Sequence, residues 1–204
     1  MKIKKLTKKD FNDNNEFIGE ETILNFEGHL EIDGSLGCVI FKYLNIGGHI
    51  FAKAGTGIKA VEGIEAGMSI KAGWSIKAGW GIEAGMGIKA GEGIEAGWGI
   101  EAGTSIKAGW GIEAGMGIKA GYYIKCKLTI KCKLRVFAGL CLWRLPEKEE
   151  MIIECGKLES GEVCYGELVE IGTKEKVKTI EIDGKKIEIS IESFENLKKQ
   201  LLTK

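Results

Sequence analysis

Lysine and glutamate recur at a fixed interval along the middle of the sequence, where they could form charged binding surfaces. From Ile64 to Gly121 the repeat is Ile, Lys or Glu, Ala, Gly, a variable residue, then Gly, Ser or, in the last copy, Tyr. If three repeats close one coil, residues 18 apart lie over each other. One predicted column contains Lys71, Lys89, Lys107 and Lys125, and the next contains Glu65, Glu83 and Glu101.

These columns have two interpretations. Neighbouring strands lie about 4.8 Å apart, so identical charges stacked in a column repel one another. A sequence that keeps such columns could use their electric fields to bind a charged partner. Alternatively, the long side chains splay into water and the columns arise by chance. The third column is mixed in sign and contains Lys59, Lys77, Glu95, Glu113 and Lys131.

The variable position of the repeat holds large apolar side chains, and its direction decides what they do. Strict alternation along a strand would point this position inward, which would make the residues core filler. Glu62 and Glu92 occupy the same position, however, and an unpaired buried carboxylate costs several kcal/mol. Glycine allows positive φ angles at a corner, which would reset the alternation. We therefore favour an outward position and a binding role for Trp74, Trp80, Trp98 and Trp110, accompanied by Met68, Met86 and Met116.

Residues typical of catalysis are sparse. The two histidines, His29 and His49, precede the regular repeats and are interpreted as surface or cap residues. We find no phosphate-binding loop, no dinucleotide-binding glycine motif and no Ser-His-Asp or Cys-His group. The sequence therefore predicts a protein that is not an enzyme, with no catalytic residue, cofactor, metal site or small-molecule substrate.

The six cysteines suggest a reducing compartment. They form no CxxC pair, and we interpret the cysteines as small buried fillers. Cys126 and Cys132 occupy the alanine position of the repeat, so they are interior substitutes rather than metal ligands. The N-terminal segment has no apolar stretch typical of a secretory signal, and no apolar run is long enough to span a membrane. We expect a cytoplasmic protein, inside a bacterial host cell, with no membrane partner.

The elements that must position these residues are short strands. Isoleucine recurs every six residues from Ile58 to Ile130, and Ile40, Ile46, Ala52, Val136 and Leu142 extend the same phase. An α-helix needs a period near 3.6, and a glycine every sixth residue would weaken it by about 1 kcal/mol each. Units this short cannot bury an apolar face alone, so they must stack into a solenoid.

The repeat resembles that of hexapeptide-repeat proteins, which are three-sided β-helices with 18 residues per coil. The chain also resembles the bactofilins, which form polymers from a three-sided β-helix. The hexapeptide resemblance covers roughly residues 40–142 and implies a mainly β fold, a single-stranded β-solenoid. Hexapeptide acyltransferases usually use a histidine base, and no equivalent histidine is recognised in the repeats here.

Three segments are predicted from the change in composition. Residues 1–39 would form an N-terminal arm and cap, residues 40–146 the solenoid, and residues 147–204 a small C-terminal α+β module. Within that module, Asp183-Gly184 is typical of a two-residue hairpin turn. A terminal helix would follow, capped by Ser190 or Ser193, with one apolar face formed by Ile191, Phe194, Leu197 and Leu201.

The leading functional hypothesis is a non-enzymatic protein that binds a macromolecule stoichiometrically. The segment "EIDGKKIEISIESFENLKKQL" resembles small modules of phage-borne proteins, which implies an anti-CRISPR-type inhibitor of a bacterial defence complex. The partner would be a protein or a ribonucleoprotein. A bactofilin-like self-assembling protein is one alternative, and homo-oligomers remain open. An acyltransferase-like protein is the second alternative.

Overall fold

A computed structural model describes residues 2–19, 23–171, 177–182 and 185–190 of the chain. The chain divides into two units, Met1–Glu170 and Ile171–Lys204. The first unit is a parallel β-solenoid, so the predicted mainly β fold is confirmed. Two short 3-10 helices, Lys8–Asp10 and Lys148–Glu150, interrupt its strands.

Each short strand buries two side chains and exposes one. In Ile76–Ala78, for example, the isoleucine and the alanine are buried and the lysine between them is exposed. The β-branched isoleucine suits the pleated strand, and alanine fills the narrow interior beside it. Repetition of this pattern produces a continuous core of stacked isoleucine and alanine side chains.

The solenoid has three flanks, which we name by their outward charges. The lysine flank is a nine-stranded sheet in which each strand pairs with the equivalent strand of the next coil. Its strands are Ile3–Leu6, His29–Ile32, Ile50–Ala52, Ile70–Ala72, Ile88–Ala90, Ile106–Ala108, Ile124–Lys125, Ile152–Cys155 and Glu167–Glu170.

The other two flanks share their last long strand, Thr129–Ala138, which pairs first with one flank and then with the other. The strands of the mixed flank are Gly37–Phe41, Thr56–Ala60, Ile76–Ala78, Ile94–Ala96 and Ile112–Ala114. The strands of the glutamate flank are Ile23–Phe26, Tyr43–Ile46, Ile64–Ala66, Ile82–Ala84, Ile100–Ala102 and Ile118–Ala120. A further strand, Lys157–Tyr165, pairs with the shared strand.

The predicted 18-residue coil is confirmed by the strand register. On the glutamate flank, Ile82 pairs with Ile64 on one side and with Ile100 on the other. Lys71 and Lys89 likewise occupy neighbouring rungs of the lysine flank. Identical positions of the repeat therefore stack directly over each other.

The early coils are longer than the sequence period predicts. Leu44 pairs with Ile64, which is 20 residues later. The proposed phase is therefore wrong upstream of Ile58: Ile40 pairs with Lys59 on the outer side, while Val39 and Phe41 are buried beside it. Ile46 and Ala52 are displaced by two positions, so they occupy the alanine position of the repeat rather than its isoleucine position.

The parallel ladder also continues on both sides of residues 40–146. The strand Ile3–Leu6 already pairs with His29–Ile32. Beyond Pro146, the strands Ile152–Cys155 and Glu167–Glu170 extend the lysine flank. Leu142, expected to continue the isoleucine phase, is instead 95% exposed, because the chain leaves the ladder after Ala138.

The second unit contains an antiparallel hairpin. Its strands Val177–Ile182 and Lys185–Ser190 pair with Ile182 opposite Lys185. The predicted Asp183-Gly184 turn itself lies outside the described residues. The predicted terminal helix and its caps, apart from Ser190, which ends the second strand, lie outside the described residues.

The cysteine prediction is only partly correct. Cys126, Cys132 and Cys155 are buried and take alanine-like positions in the core. Cys164, by contrast, is exposed on the long C-terminal strand of the solenoid. No disulfide joins any cysteine of the described part of the chain.

Candidate binding surface

The corners between flanks explain why the repeat fixes one glycine and relaxes another. A Cβ atom added to Gly97 would lie 2.0 Å from the carbonyl oxygen of Gly79 in the preceding coil. At Gly99, two residues later, the nearest atom would be 3.5 Å away. The first position must therefore be glycine, whereas the second accepts serine, as Ser75 and Ser105 show.

Positive φ angles are not the cause of this glycine requirement. Among the described residues, the positive-φ glycines lie outside the regular repeat, for example Gly37 and Gly139. The explanation based on a reset of φ is therefore wrong. Close contact between successive coils at the corner takes its place, because any side chain there would collide with backbone.

The variable position points outward, as we favoured from the sequence. The four tryptophans are between 43% and 59% exposed, whereas the isoleucines of the same repeats are at most 1% exposed. Glu62 and Glu92 occupy this position without burying a charge, because they too stand at the corner of the coil. The tryptophans thus form no part of the core.

The tryptophans belong to two different corners. Backbone hydrogen bonds join Trp98 to Trp80 and Trp80 to Glu62 at the corner between the mixed and glutamate flanks. This column, which we call the tryptophan edge, contains Glu62, Trp80, Trp98, Met116 and Leu134. The second column lies between the lysine and mixed flanks and contains Trp74, Glu92, Trp110 and Leu128.

The two indoles of the tryptophan edge stack on each other. Their ring centroids are 5.8 Å apart and their planes differ by 14°. On the opposite side of Trp80, the next rung carries Glu62, which interrupts the aromatic stack. In the second column Glu92 separates Trp74 from Trp110, so these indoles do not stack. The structure therefore brings together only half of the predicted tryptophans.

The glutamate flank carries unbalanced negative charge beside this edge. Glu65, Glu83 and Glu101 are directly paired along the ladder, as predicted. Glu101 forms an ion pair with Lys119 on the next rung. Glu65 and Glu83 form no ion pair with any residue that the structure describes.

The lysine flank keeps its predicted column, but its two ends are occupied. Lys125 forms an ion pair with Glu154 at 3.1 Å. The ammonium group of Lys71 lies 5.1 Å from the ring centroid of Phe51, in a cation–π contact. Between them, Lys89 and Lys107 face each other across neighbouring rungs and have no ion-pair partner within the described ranges.

Four of the five charges in the column of the mixed flank pair with one another. Lys77 pairs with Glu95 at 2.7 Å and Lys131 pairs with Glu113 at 3.1 Å, in each case across neighbouring rungs. The hydrogen bond to Glu95 raises the pKa of Lys77, and the hydrogen bond to Glu113 raises that of Lys131. A surface cleft of ≈ 490 Å³ on this flank is lined by both of these ion pairs together with Trp110, Glu92 and Glu159.

A smaller cleft opens where the tryptophan edge meets the glutamate flank. It has a volume of ≈ 410 Å³. Its side chains are three aromatic rings and three carboxylates, those of Tyr43, Trp80, Trp98, Glu62, Glu65 and Glu83. We call it the aromatic–acidic cleft.

Tyr43 has a raised pKa in this cleft. Burial raises the pKa of Tyr43 to about 12, and a hydrogen bond to Glu65 with the charges of the neighbouring carboxylates acts in the same direction. Sequence reasoning missed Tyr43 because a strict six-residue count misplaces it. In the longer early coil it precedes Leu44, as Gly63 precedes Ile64, and this alignment is the signal that identifies it.

The third corner, between the glutamate and lysine flanks, is partly covered by the chain itself. Trp143 Nε1 donates a hydrogen bond to the Tyr122 hydroxyl at 3.2 Å, and the two rings meet edge to face. Arg144 lies over the same tyrosine ring and forms an ion pair with Glu150. This corner is therefore already engaged in intramolecular contacts.

The histidines stack on each other in the first coils. Their ring centroids are 5.1 Å apart, and each Nδ1 accepts a hydrogen bond from backbone, from His49 N–H and Ser69 N–H respectively. Across the described residues, no group of three or more His, Cys, Asp or Glu side chains is placed to hold a metal ion. In the same part of the chain, no helix is long and apolar enough to cross a membrane.

No family model, curated protein or solved structure matches this chain. The parallel β-solenoid is therefore established by the register of its own strands, and function has to be argued from the surfaces described above.

Proposed function

We propose that this protein is a non-enzymatic binding protein that docks a macromolecule stoichiometrically on the tryptophan edge and the glutamate flank. Exposed aromatic residues beside ordered charge are typical of binding surfaces. The observation that carries the proposal is the stacked pair of half-exposed indoles, Trp80 and Trp98, beside two carboxylates that have no ion-pair partner within the described ranges.

The solenoid supports docking because it is preorganised. The backbone on each flank is hydrogen-bonded to the coils on both sides, so the corner side chains stand on a regular scaffold. A rigid surface loses little conformational entropy when it binds a partner. The outward tryptophans are not needed for the core, because isoleucine and alanine fill it. They are therefore available for binding.

In its most concrete form, the partner is a bacterial defence nuclease complex, and the protein is a phage or mobile-element inhibitor of the anti-CRISPR type. A nucleic-acid channel is basic, so the negative glutamate flank complements it. Lys89 and Lys107 on the lysine flank could contact phosphates of a bound guide or target strand. The resemblance of the C-terminal segment to phage-borne modules points in the same direction.

The test is affinity capture from a bacterial lysate that contains such a complex, followed by mass spectrometry. The bait is the full chain, and the variant is the double substitution Trp80→Ala/Trp98→Ala. The matched control is Trp74→Ala/Trp110→Ala, which removes two indoles of similar exposure from the other corner.

We expect capture of a nuclease complex by the natural chain and by the control, with at least a tenfold loss for the tryptophan-edge variant. Equal loss in both variants would contradict docking on this edge. Capture of copies of the same chain alone, together with growth in sedimentation rate with concentration, would favour the bactofilin-like alternative.

A further inference from the structure

The aromatic–acidic cleft combines three aromatic rings with three carboxylates, two of which form no ion pair in the described chain. The ammonium group of Lys42 lies 3.9 Å from Glu62, at the limit of an ion pair. Glu65 and Glu83 line the same cleft and form no ion pair within the described chain. The cleft therefore presents negative charge that the fold itself does not neutralise.

The cleft exists because two regularities of the repeat fail at the same place. The indole stack stops at Trp80, since the next rung carries Glu62. The longer early coil places Tyr43 over Gly63, where an added Cβ would lie 2.9 Å from the tyrosine ring. The gap below the last indole is thus bounded by a second aromatic ring on the adjacent coil.

We infer that the aromatic–acidic cleft binds the guanidinium group of an arginine presented by a basic segment of a protein partner. The inference deepens the proposed function and relies on it for the identity of the partner. The choice of a guanidinium rests on the aromatic rings and carboxylates that line the cleft.

A guanidinium suits this cleft better than other cations. It is flat, weakly hydrated and able to stack on an aromatic face while its N–H groups donate to carboxylates. The rings of Tyr43, Trp80 and Trp98 offer such faces, and Glu65 and Glu83 offer acceptors. A metal ion would need several oxygen ligands converging on one point, and the described residues contain no such group.

The larger cleft on the mixed flank shows why volume alone does not define the site. Two of its carboxylates, Glu95 and Glu113, already bind lysines of neighbouring rungs. An arginine bound to either of these would have to displace Lys77 or Lys131. The other two carboxylates of that cleft, Glu92 and Glu159, share it with a single aromatic ring, Trp110. In the aromatic–acidic cleft an arginine displaces neither lysine, and it relieves the repulsion between two stacked carboxylates.

The test is isothermal titration calorimetry of the purified full chain with a hexa-arginine peptide at low salt. A hexa-citrulline peptide of the same length is the neutral comparison, because citrulline keeps the shape of arginine without its charge. We expect the arginine peptide to bind at least tenfold more tightly. Equal affinity for the two peptides would overturn the inference.

Matched variants assign the binding to the cleft. Glu65→Gln/Glu83→Gln removes two carboxylates from neighbouring rungs of the glutamate flank, and Glu95→Gln/Glu113→Gln removes two from neighbouring rungs of the mixed flank. We expect about a tenfold loss of affinity for the first variant and less than a threefold loss for the second. Equal losses would show nonspecific attraction and contradict a built site.

A further variant tests the aromatic wall. Trp80→Leu should lower the affinity for the arginine peptide about tenfold. Trp80→Phe should keep most of the affinity because it retains an aromatic face. Circular dichroism of each variant checks the fold. If Trp80→Leu binds as well as the natural chain, the inference is wrong.

The failure of this inference is distinguishable from failure of the proposed function. The protein could bind the arginine and citrulline peptides equally while the tryptophan-edge variant still loses its captured partner. That result would support docking on the edge and contradict the arginine site. If the arginine peptide binds as expected but the tryptophan-edge variant captures as much partner as the natural chain, the arginine site is supported and the proposed docking is contradicted.

Discussion

The glutamate flank and the mixed flank stand on the same core but treat their charges in opposite ways. Beneath both flanks, stacked isoleucine and alanine fill the interior. Outside, lysines and glutamates of the mixed flank pair across neighbouring rungs, whereas Glu65 and Glu83 of the glutamate flank stack without an ion pair in the described chain. The comparison teaches that the fold does not require the unpaired column, because the mixed flank has the same architecture with four of its five column charges in ion pairs.

The largest expected effect tests whether the two flanks truly share one core. Ile100→Asp under the glutamate flank and Ile94→Asp under the mixed flank each bury a carboxylate, at a cost of several kcal/mol. Both isoleucines are 1% exposed, so we expect both variants to lose the β signal in circular dichroism to a similar extent. A native spectrum for either variant would contradict the register.

The next effect concerns the corner that joins the two flanks. Gly97→Ala forces a methyl group against backbone of the preceding coil, and we expect a loss of about 1–3 kcal/mol in the free energy of unfolding. Gly99→Ala meets no close atom, so we expect a change of less than about 1 kcal/mol, or a slight gain. Urea unfolding measures both, and similar losses for the pair would count against the close-contact explanation.

A smaller effect tests the balance of the mixed flank. Lys131→Gln removes one partner of the Lys131–Glu113 pair and leaves the carboxylate facing only Glu95 and solvent. Because surface pairs contribute little, we expect the midpoint of thermal unfolding to fall by a few degrees at most, and less at high salt. A rise in the midpoint would contradict the view that this flank stabilises itself.

The sequence alone predicts the middle of the solenoid well because one short unit dominates it. The repeat between Ile64 and Gly121 predicts the isoleucine period, the 18-residue coil and the charge columns. The ends could not be predicted in this way, since paired residues in the coils around Ile40 are 19 or 20 positions apart, and the 19-residue spacing turns Ile40 outward.

The candidate surface was predicted in part. The outward tryptophans and the glutamate column follow from the repeat, but the stack of Trp80 on Trp98 and the separation of Trp74 from Trp110 depend on which corner each occupies. Tyr43 lies outside the regular period, so its place beside Gly63 emerges only from the three-dimensional register.

The most direct test of the unbalanced glutamate flank is the thermal unfolding of Glu83→Gln at low salt. Glu83 faces Glu65 and Glu101 on its two neighbouring rungs, so its neutralisation should relieve repulsion on both sides. The account predicts that the midpoint rises by up to a few degrees and that the affinity for the arginine peptide falls. A lower midpoint would show that Glu83 already stabilises the fold, and would contradict a carboxylate left free for a partner.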